Sequence, residues 1–414
     1  LIVVDEEHEG AYKQDDGVSY HARDMAVLYG SIGRFPVILS SATPSLESLV
    51  NVDRGRYGVV RLKDRHGRPE LPDIGLIDMR AEKLEPGNWL AEPLVAQVTA
   101  TLAAGDQALL FLNRRGYAPL TLCRACGHRL ECPNCAASLV EHRFRRQLMC
   151  HHCGHLEPVM KACPSCGVEG KLTPVGPGVE RLAEEVARRF PEARVSVLSS
   201  DLSRGTLLRD AIREVEQGIP NLVIGTQLVA KGHHFPKLNL VGIVDADLGL
   251  ANGDPRAAER SFQLLHQVAG RAGREAGQGQ GFLQTHQPEH PVMRALVSGD
   301  RDAFYTSEIE LRETAQYPPF GRLASLLVSA GDRPSAEGYA RRLAGSAPRA
   351  DEVRVLGPAE APLAVVRGRY RFRILVKSPR NYDLSGYLRE WLSAAPQRKG
   401  NLKLEVDVDP QSFL

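Results

Sequence analysis

Leu1-Ile2-Val3-Val4-Asp5-Glu6-Glu7-His8 is a short apolar run that stops abruptly at three acids and a histidine. A run of this length without alternation reads as a strand buried on both faces, as in parallel sheets covered by helices. The rhythm then repeats. Tyr20 to Tyr29 reads as a helix, and Val37-Ile38-Leu39 is a second apolar run ending in Ser40-Ser41-Ala42-Thr43-Pro44-Ser45. Strand, polar tip, helix, strand, polar tip is the pattern of an α/β domain, whose ligands bind at strand carboxyl ends. An acidic pair at such a tip suits a Mg²⁺-nucleotide site. One carboxylate holds the metal's water shell and the next polarises an attacking water.

Further strands are expected at Tyr57 to Leu62 and Ile74 to Asp78, before a break at Pro86-Gly87. A second α/β unit follows. Leu94 to Leu102 reads as a helix, and Ala108 to Leu112 as a strand tipped by Asn113-Arg114-Arg115-Gly116-Tyr117. After an interruption come a helix with Val179, Leu182, Val186 and Phe190 on one face, and strands at Val195 to Leu198, Leu222 to Ile224 and Leu240 to Val244. A helix from Glu259 runs into Gln267-Val268-Ala269-Gly270-Arg271-Ala272-Gly273-Arg274. Its glycines allow close backbone approach, and its two arginines can reach phosphates. The spacing therefore predicts a first unit over residues 1–90, a second over 91–284 and an α+β tail over 285–414.

Composition bounds the rest. A length of 414 residues suggests two to three domains, and 25% charged with 43% apolar residues suits a folded chain. No run of eighteen apolar residues occurs, so no membrane-spanning helix is expected. Lys+Arg 52 against Asp+Glu 50 leaves +2, so any basic surface must be local. The chain begins with Leu1 inside a strand rather than with Met, and a longer natural protein is expected.

All eight cysteines fall in one window, as Cys123/Cys126, Cys132/Cys135, Cys150/Cys153 and Cys163/Cys166. Each CxxC can give two thiolates to a tetrahedral metal, so four pairs make two structural four-cysteine Zn²⁺ sites. The 14-residue gap between Cys135 and Cys150 has the length of a ribbon hairpin, which favours nested pairing, inner pairs on one zinc and outer pairs on the other. Sequential pairing stays open. His128, His151, His152 and His155 lie close by, but eight sulfurs already fill two sites. They read as surface residues or supports for the ligands.

In the tail, Val366-Arg367-Gly368-Arg369-Tyr370-Arg371-Phe372-Arg373-Ile374 places arginine at every second position, and residues 361–380 hold six Lys/Arg and no Asp/Glu. On a strand, Arg367, Arg369, Arg371 and Arg373 would share one side, either a solvated face or a surface for phosphates or an acidic peptide.

The order DEEH, SATP, NRRGYAP, GTQLVAKGHHFP, QVAGRAGR is that of motifs II to VI of superfamily 2 helicases. With the cysteine insertion, Asp254 to Arg260, Pro318-Pro319-Phe320 and the closing Asp407-Val408-Asp409-Pro410-Gln411-Ser412-Phe413-Leu414, the whole chain resembles the PriA family of primosomal replication-restart helicases. The resemblance implies two RecA-like lobes (the first partial), a two-zinc module at 121–168 within lobe 2, and an S10-like C-terminal domain. It implies an ATP-dependent 3′→5′ DNA helicase that binds forked and single-stranded DNA, single-stranded DNA-binding protein and other primosome proteins in the cytoplasm. Asp5 would bind Mg²⁺ and Glu6 activate water, with Glu7 and His8 coupling hydrolysis to the strand track. Gln267, Arg271 and Arg274 would complete the ATP site. Tyr12 to Asp24, with Tyr20 and Arg23, resembles the aromatic-rich loop that senses single-stranded DNA. Thr43, Arg114, Arg115 and Thr226 would face the DNA backbone. Two departures stand out: no GxxxxGK[ST] phosphate loop occurs, so the chain alone is expected to be inactive, and Val179 stands where the family usually has Thr. The alternative is a non-enzymatic zinc-containing DNA-binding or primosome scaffold.

Overall fold

The computed structural model describes residues 1–14, 19–62, 72–85, 87–113, 120–123, 128, 130, 132–133, 139–142, 147–149, 155–170, 172–175, 179–198, 206–230, 235–247, 250, 254–273 and 279–412. The buried apolar runs form a six-stranded sheet in the order Val195–Leu198, Leu222–Gly225, Gln107–Phe111, Leu238–Ile243, Gln280–Thr285, Asp73–Asp78, each pair parallel. Strand alternation sends Leu109, Phe111, Val241 and Ile243 into one core with Phe262 and Leu265. Ala108, Leu110, Ile224 and Leu240 go into the opposite core with Leu94, Val98, Leu182 and Val186. The fold is α/β, as the apolar runs predict.

Two boundaries and one strand differ from the sequence reading. Asp73–Asp78 pairs with Gln280–Thr285 and is the last strand of the six-stranded sheet, so it belongs to the second unit rather than to 1–90. Residues 89–91 go with it. Glu185 accepts from the Trp89 and Leu90 amides, and Gln284 accepts from Ala91 while donating to the Trp89 carbonyl. Helices Pro291–Ser298 and Arg301–Thr314, placed by the sequence in the tail, bury Val292, Met293, Leu296, Phe304 and Tyr305 in the second unit's core. Tyr57 to Leu62 forms no strand. Val60 and Leu62 are 88% and 91% exposed, and no strand among the described residues pairs with them.

The first unit is small. Ile2–Val4 pairs parallel with Val37–Leu39, and helix Ala22–Gly33 packs so closely that a Cβ on Gly30 would lie 2.3 Å from Val37 Cγ2. Helix Leu46–Asp53 begins at Ser45, whose Oγ accepts from the Ser48 amide.

The cysteine-rich insertion closes on itself. Leu120–Cys123 and Leu172–Val175 form an antiparallel stem, and a three-stranded antiparallel sheet of Val140–His142, Gln147–Met149 and Leu156–Pro158 lies inside it. Among the described residues, Leu130, Cys132, Leu139 and Leu148 form its buried cluster.

The C-terminal domain is an antiparallel sheet in the order Arg354–Val366, Arg369–Pro379, Gly321–Ala330, Lys403–Val408. Helices Arg333–Gly345 and Leu384–Ser393 cover one face through Tyr339, Leu343, Leu388 and Trp391. No helix among the described residues is long and apolar enough to cross a membrane.

Candidate active site

The two short strands of the first unit end side by side, so their polar tips meet. The Ser40 amide donates to the Val4 carbonyl and the Glu7 amide to the Ser40 carbonyl, and His8 Nδ1 lies 2.7 Å from Ser41 Oγ. The four tip residues take different environments. Asp5 and Glu6 are exposed, whereas Glu7 is buried and His8 half-buried. The turn that separates them puts Glu6 in the left-handed region at φ 48°, costly for a side chain with a Cβ and common at sites that hold strain. Glu7 accepts from the Ser45 amide at 2.6 Å, Ser45 Oγ at 2.9 Å and Arg23 Nη1 at 3.0 Å.

Helix Ala257–Ala269 of the second unit lies across this tip. Glu259, Gln263 and Gln267 recur at every fourth position and therefore share one face. Glu259 Oε1 accepts from the Leu46 amide at 2.9 Å, and Gln263 Nε2 donates to the Thr43 carbonyl at 3.3 Å. Gln267 Nε2 donates to Glu6 Oε2 at 3.3 Å and lies 3.1 Å from His8 Nε2. Glu6 of one unit thus meets the Gln267 amide of the other, and His8 and Gln267 line a cleft of about 340 Å³ together with Lys13, Arg23, Glu47 and Arg256. Arg271 follows the helix end and is buried. A Cβ on Gly279 would lie 2.4 Å from the Gly273 nitrogen, so the Arg271-Ala272-Gly273 turn is held against that backbone. Arg274, Arg114 and Arg115 lie outside the described residues.

Beneath the cleft runs an alternating chain of charges. Arg256 pairs with Glu47 and approaches Glu259, which also accepts from Arg312 at 2.8 Å. Burial alone would raise the Glu47 carboxyl, but Arg256 and Arg23 hold it below the usual carboxylate range. Burial likewise opposes the charge of Arg23, and Glu47, Asp24 and Glu7 overcome it. A single missing partner would leave a buried charge uncompensated.

Several residues assigned to DNA are placed elsewhere. Arg23 is 6% exposed and belongs to the Glu7 network. Thr43 is 0% and Thr226 6% exposed, packed behind the tips rather than facing outward. Tyr20, at 41%, is accessible. Arg367, at φ 50°, sits with Gly368 in the turn before Arg369–Pro379 and is not on the strand. Arg369 donates to the carbonyls of Ser329 and Asn401, and Arg371 and Arg373 are half-buried, with burial disfavouring both charges. Their face is turned toward the rest of the molecule, where Lys377 reaches the Ala315 carbonyl and the Tyr317 ring.

The sequence reading missed two sets. Glu259 and Gln263 were legible in their spacing to Gln267. The second set is a cation cluster: Arg54 lies 5.4 Å over the Phe320 ring, and Arg380 donates to the Pro319 carbonyl at 2.9 Å. Partial burial and then the like charges of Arg54 and Arg56 disfavour the Arg380 cation. Arg54 and Arg56 are exposed. No sequence signal joins positions 54–56 to 380.

Of the cysteines, Cys132 and Cys163 are buried, Cys166 is exposed, and Cys123 closes a stem strand. Cys126, Cys135, Cys150 and Cys153 lie outside the described residues. The inserted sheet suits a ribbon: hairpin strands Val140–His142 and Gln147–Met149 occupy the gap between the inner pairs, and the stem closes behind the outer ones. Soft thiolate donors in a module whose described residues bury so small an apolar cluster fit structural zinc. His155 is half-buried and lies 2.8 Å from Glu157.

Residues 313–411 match the family model described as the primosomal protein N C-terminal domain, and residues 132–158 match that of the PriA DNA helicase Cys-rich region. The replication restart protein PriA of Rickettsia felis is 42% identical over all of this chain, which covers 64% of that protein. The proteins of the same name from Haemophilus influenzae and Bacillus subtilis are 38% and 36% identical, again over the whole chain, which covers 56% and 52% of them. The chain thus spans between about half and two thirds of these relatives. Among solved structures, RecG bound to a three-way DNA junction is similar at 14% identity and a TM-score of 0.36, over 67% of this chain and 27% of that one. Identity carried through all 414 residues, with family models falling on the cysteine-rich window and on the closing sheet, shows that the chain belongs to the PriA family of replication restart proteins.

Proposed function

We propose that this chain is part of an ATP-driven 3′→5′ DNA helicase of superfamily 2 that acts in replication restart. The observation that carries the reading is the contact between Gln267 and Glu6, which joins an acidic strand tip of one unit to a Gly-Arg-rich helix end of the other. Phosphoryl transfer is governed by positioning and charge stabilisation, and a site shared by two units lets their relative movement control both.

The residues present fit Mg²⁺-ATP. Asp5, exposed with its Oδ1 accepting from the Glu6 amide, would hold the metal's water shell. Bound Mg²⁺-ATP supplies the γ-phosphoryl group and neutralises part of its charge. Glu6 would orient and polarise the attacking water, with Gln267 fixing its carboxylate. Arg271 and Arg274 would face the phosphates. Glu7 holds the tip to Ser45 and the helix after it, and His8 ties it to Ser41, so the tip is rigid on both sides. Tyr20, Arg114 and Arg115 would contact forked or single-stranded DNA. The cysteine-rich module would bind two Zn²⁺ and help engage the duplex. An acidic tail of single-stranded DNA-binding protein is better served by Arg54, Arg56 and Arg380 than by the arginine stripe, and other primosome proteins would assemble on the same complex. A cytoplasmic location follows from zinc thiolates and a DNA substrate.

The test uses the full-length protein. Single-stranded DNA should stimulate ATP hydrolysis, and Glu6→Gln should lower kcat by about 10²-fold or more while leaving nucleotide affinity within a few-fold. Wild-type turnover in Glu6→Gln, or no DNA-stimulated hydrolysis at all, would overturn the reading.

A further inference from the structure

The C-terminal sheet reaches the acidic tip through a short relay of side chains. Asp407 Oδ1 accepts from Lys13 Nζ at 2.6 Å and from Ser19 Oγ at 3.2 Å, and Lys13 also reaches the Val408 carbonyl at 3.4 Å. The Lys13 side chain is only 7% exposed, so these partners take the place of the water its ammonium loses. Next to it, Tyr12 Oη donates to the carbonyl of Asp5 at 2.7 Å, and the Glu9 amide donates to the carbonyl of Glu6 at 2.8 Å. Residues 5–13 thus form one knot. Lys13–Gln14 pairs with Tyr20–His21, which leads directly into helix Ala22–Gly33.

The other end of the relay is fixed. Asp407 lies opposite Ser325 in the sheet, and two residues on Asp409 accepts from Arg322 at 2.9 Å while its amide donates to the Leu323 carbonyl. Asp407 cannot follow the hairpin, so the hairpin must follow Asp407. Beyond it, Gln411 and Ser412 line the same cleft as His8 and Gln267.

We infer that Asp407 is a positioning residue for the acidic tip: through Lys13 and Tyr12 it pins the backbone of Asp5 to the C-terminal sheet, so that displacement of that sheet reaches the nucleotide site. The consequence for hydrolysis rests on the reading proposed above; the mechanical link does not. A protein or nucleic acid that moves the C-terminal domain would thereby change turnover without touching ATP.

The experiment compares full-length wild type, Asp407→Asn, Lys13→Asp and the exchanged pair Lys13→Asp/Asp407→Lys. Hydrogen exchange is followed in peptides covering residues 5–14, and ATP turnover at saturating single-stranded DNA. Asp407→Asn should speed exchange there by about tenfold. It should lower kcat by about tenfold with KM for ATP within twofold, because displacing a positioned group by about 1 Å can cost up to about 10²-fold. The exchanged pair should recover most of both losses, which a merely stabilising contact elsewhere in the sheet would not produce. Should Asp407→Asn fail to fold, Ser19→Ala removes one of the two hydrogen bonds to the carboxylate and should speed exchange about threefold. Unchanged exchange over residues 5–14, or an exchanged pair no better than the single variants, overturns the inference. If the wild-type protein hydrolyses no ATP, the functional reading falls and the exchange result alone decides the link.

Discussion

Arg23 lies between Ala22 and Asp24 at the start of a helix, and in sequence nothing distinguishes it from an exposed basic residue. Its environment is set by Glu7 and Ser45, 16 and 22 residues away, which enclose its guanidinium. That enclosure was not legible, because it depends on three strand tips meeting. The same enclosure governs its neighbour His21. Burial first, and then Arg23, bring the His21 ring down to about 4 from the ordinary 6.5, with Asp24 and Glu47 pulling the other way. The folded protein therefore holds His21 neutral where the unfolded chain would protonate it. This contribution is complete above pH 6.5 and is lost as the pH falls from there to about 4, a gap equivalent to about 3 kcal/mol. His290, lowered by burial, adds loss in the same direction. Urea unfolding of wild type and His21→Gln at pH 7.5 and 4.5 should show a smaller acid loss in the variant; identical losses would remove His21 from the account.

Among the elements, those with the most local signals were read best. Val195–Leu198 and helix Ala257–Ala269 match their apolar periods, and the cysteine spacing anticipated a hairpin between the inner pairs. The arginine stripe was a strand for the most part, but alternation fixes only which residues share a side, never what that side meets. Here it meets the protein. Two predictions belong at this level. The cysteine module, whose described residues bury a core cluster of only four side chains, should owe its folding to metal. Elemental analysis should give about two zinc per chain, and Cys135→Ser should unfold the module while the six-stranded sheet persists. Nested pairing further requires Cys135 and Cys150 variants to lose the same metal; loss of different metals would favour sequential pairing. Second, Arg56→Ala/Arg380→Ala should weaken binding of an acidic peptide by up to about tenfold and flatten its salt dependence, since exposed ion pairs are worth about 0.2–1 kcal/mol each. Arg369→Ala/Arg371→Ala should instead lower stability and leave the peptide's affinity within about twofold, because Arg369 holds two backbone carbonyls. The reverse ranking would restore the stripe.

At the scale of the whole molecule, the parallel architecture was legible because the central strands Gln107–Phe111, Leu222–Gly225 and Leu238–Ile243 are buried and mostly apolar; the expected burial of both faces does not hold for Ile2–Val4 and Val37–Leu39, where Val3 is 59% and Ile38 50% exposed. Partition among the units was not, because it is settled by pairings between distant segments. Asp73–Asp78 precedes the rest of the second unit's sheet by about thirty residues yet completes it, hydrogen-bonded along all of Gln280–Thr285. That pairing has a practical consequence for where the protein can be divided. A polypeptide begun at residue 91 would contain every helix of the second unit but would present Gln280-Gly281-Phe282-Leu283-Gln284-Thr285 as an open row of backbone donors and acceptors. It would also lack the Trp89 and Leu90 amides that satisfy Glu185. Such an edge invites pairing with a second copy. Light scattering should find that polypeptide self-associated at concentrations where one begun at residue 72 remains monomeric.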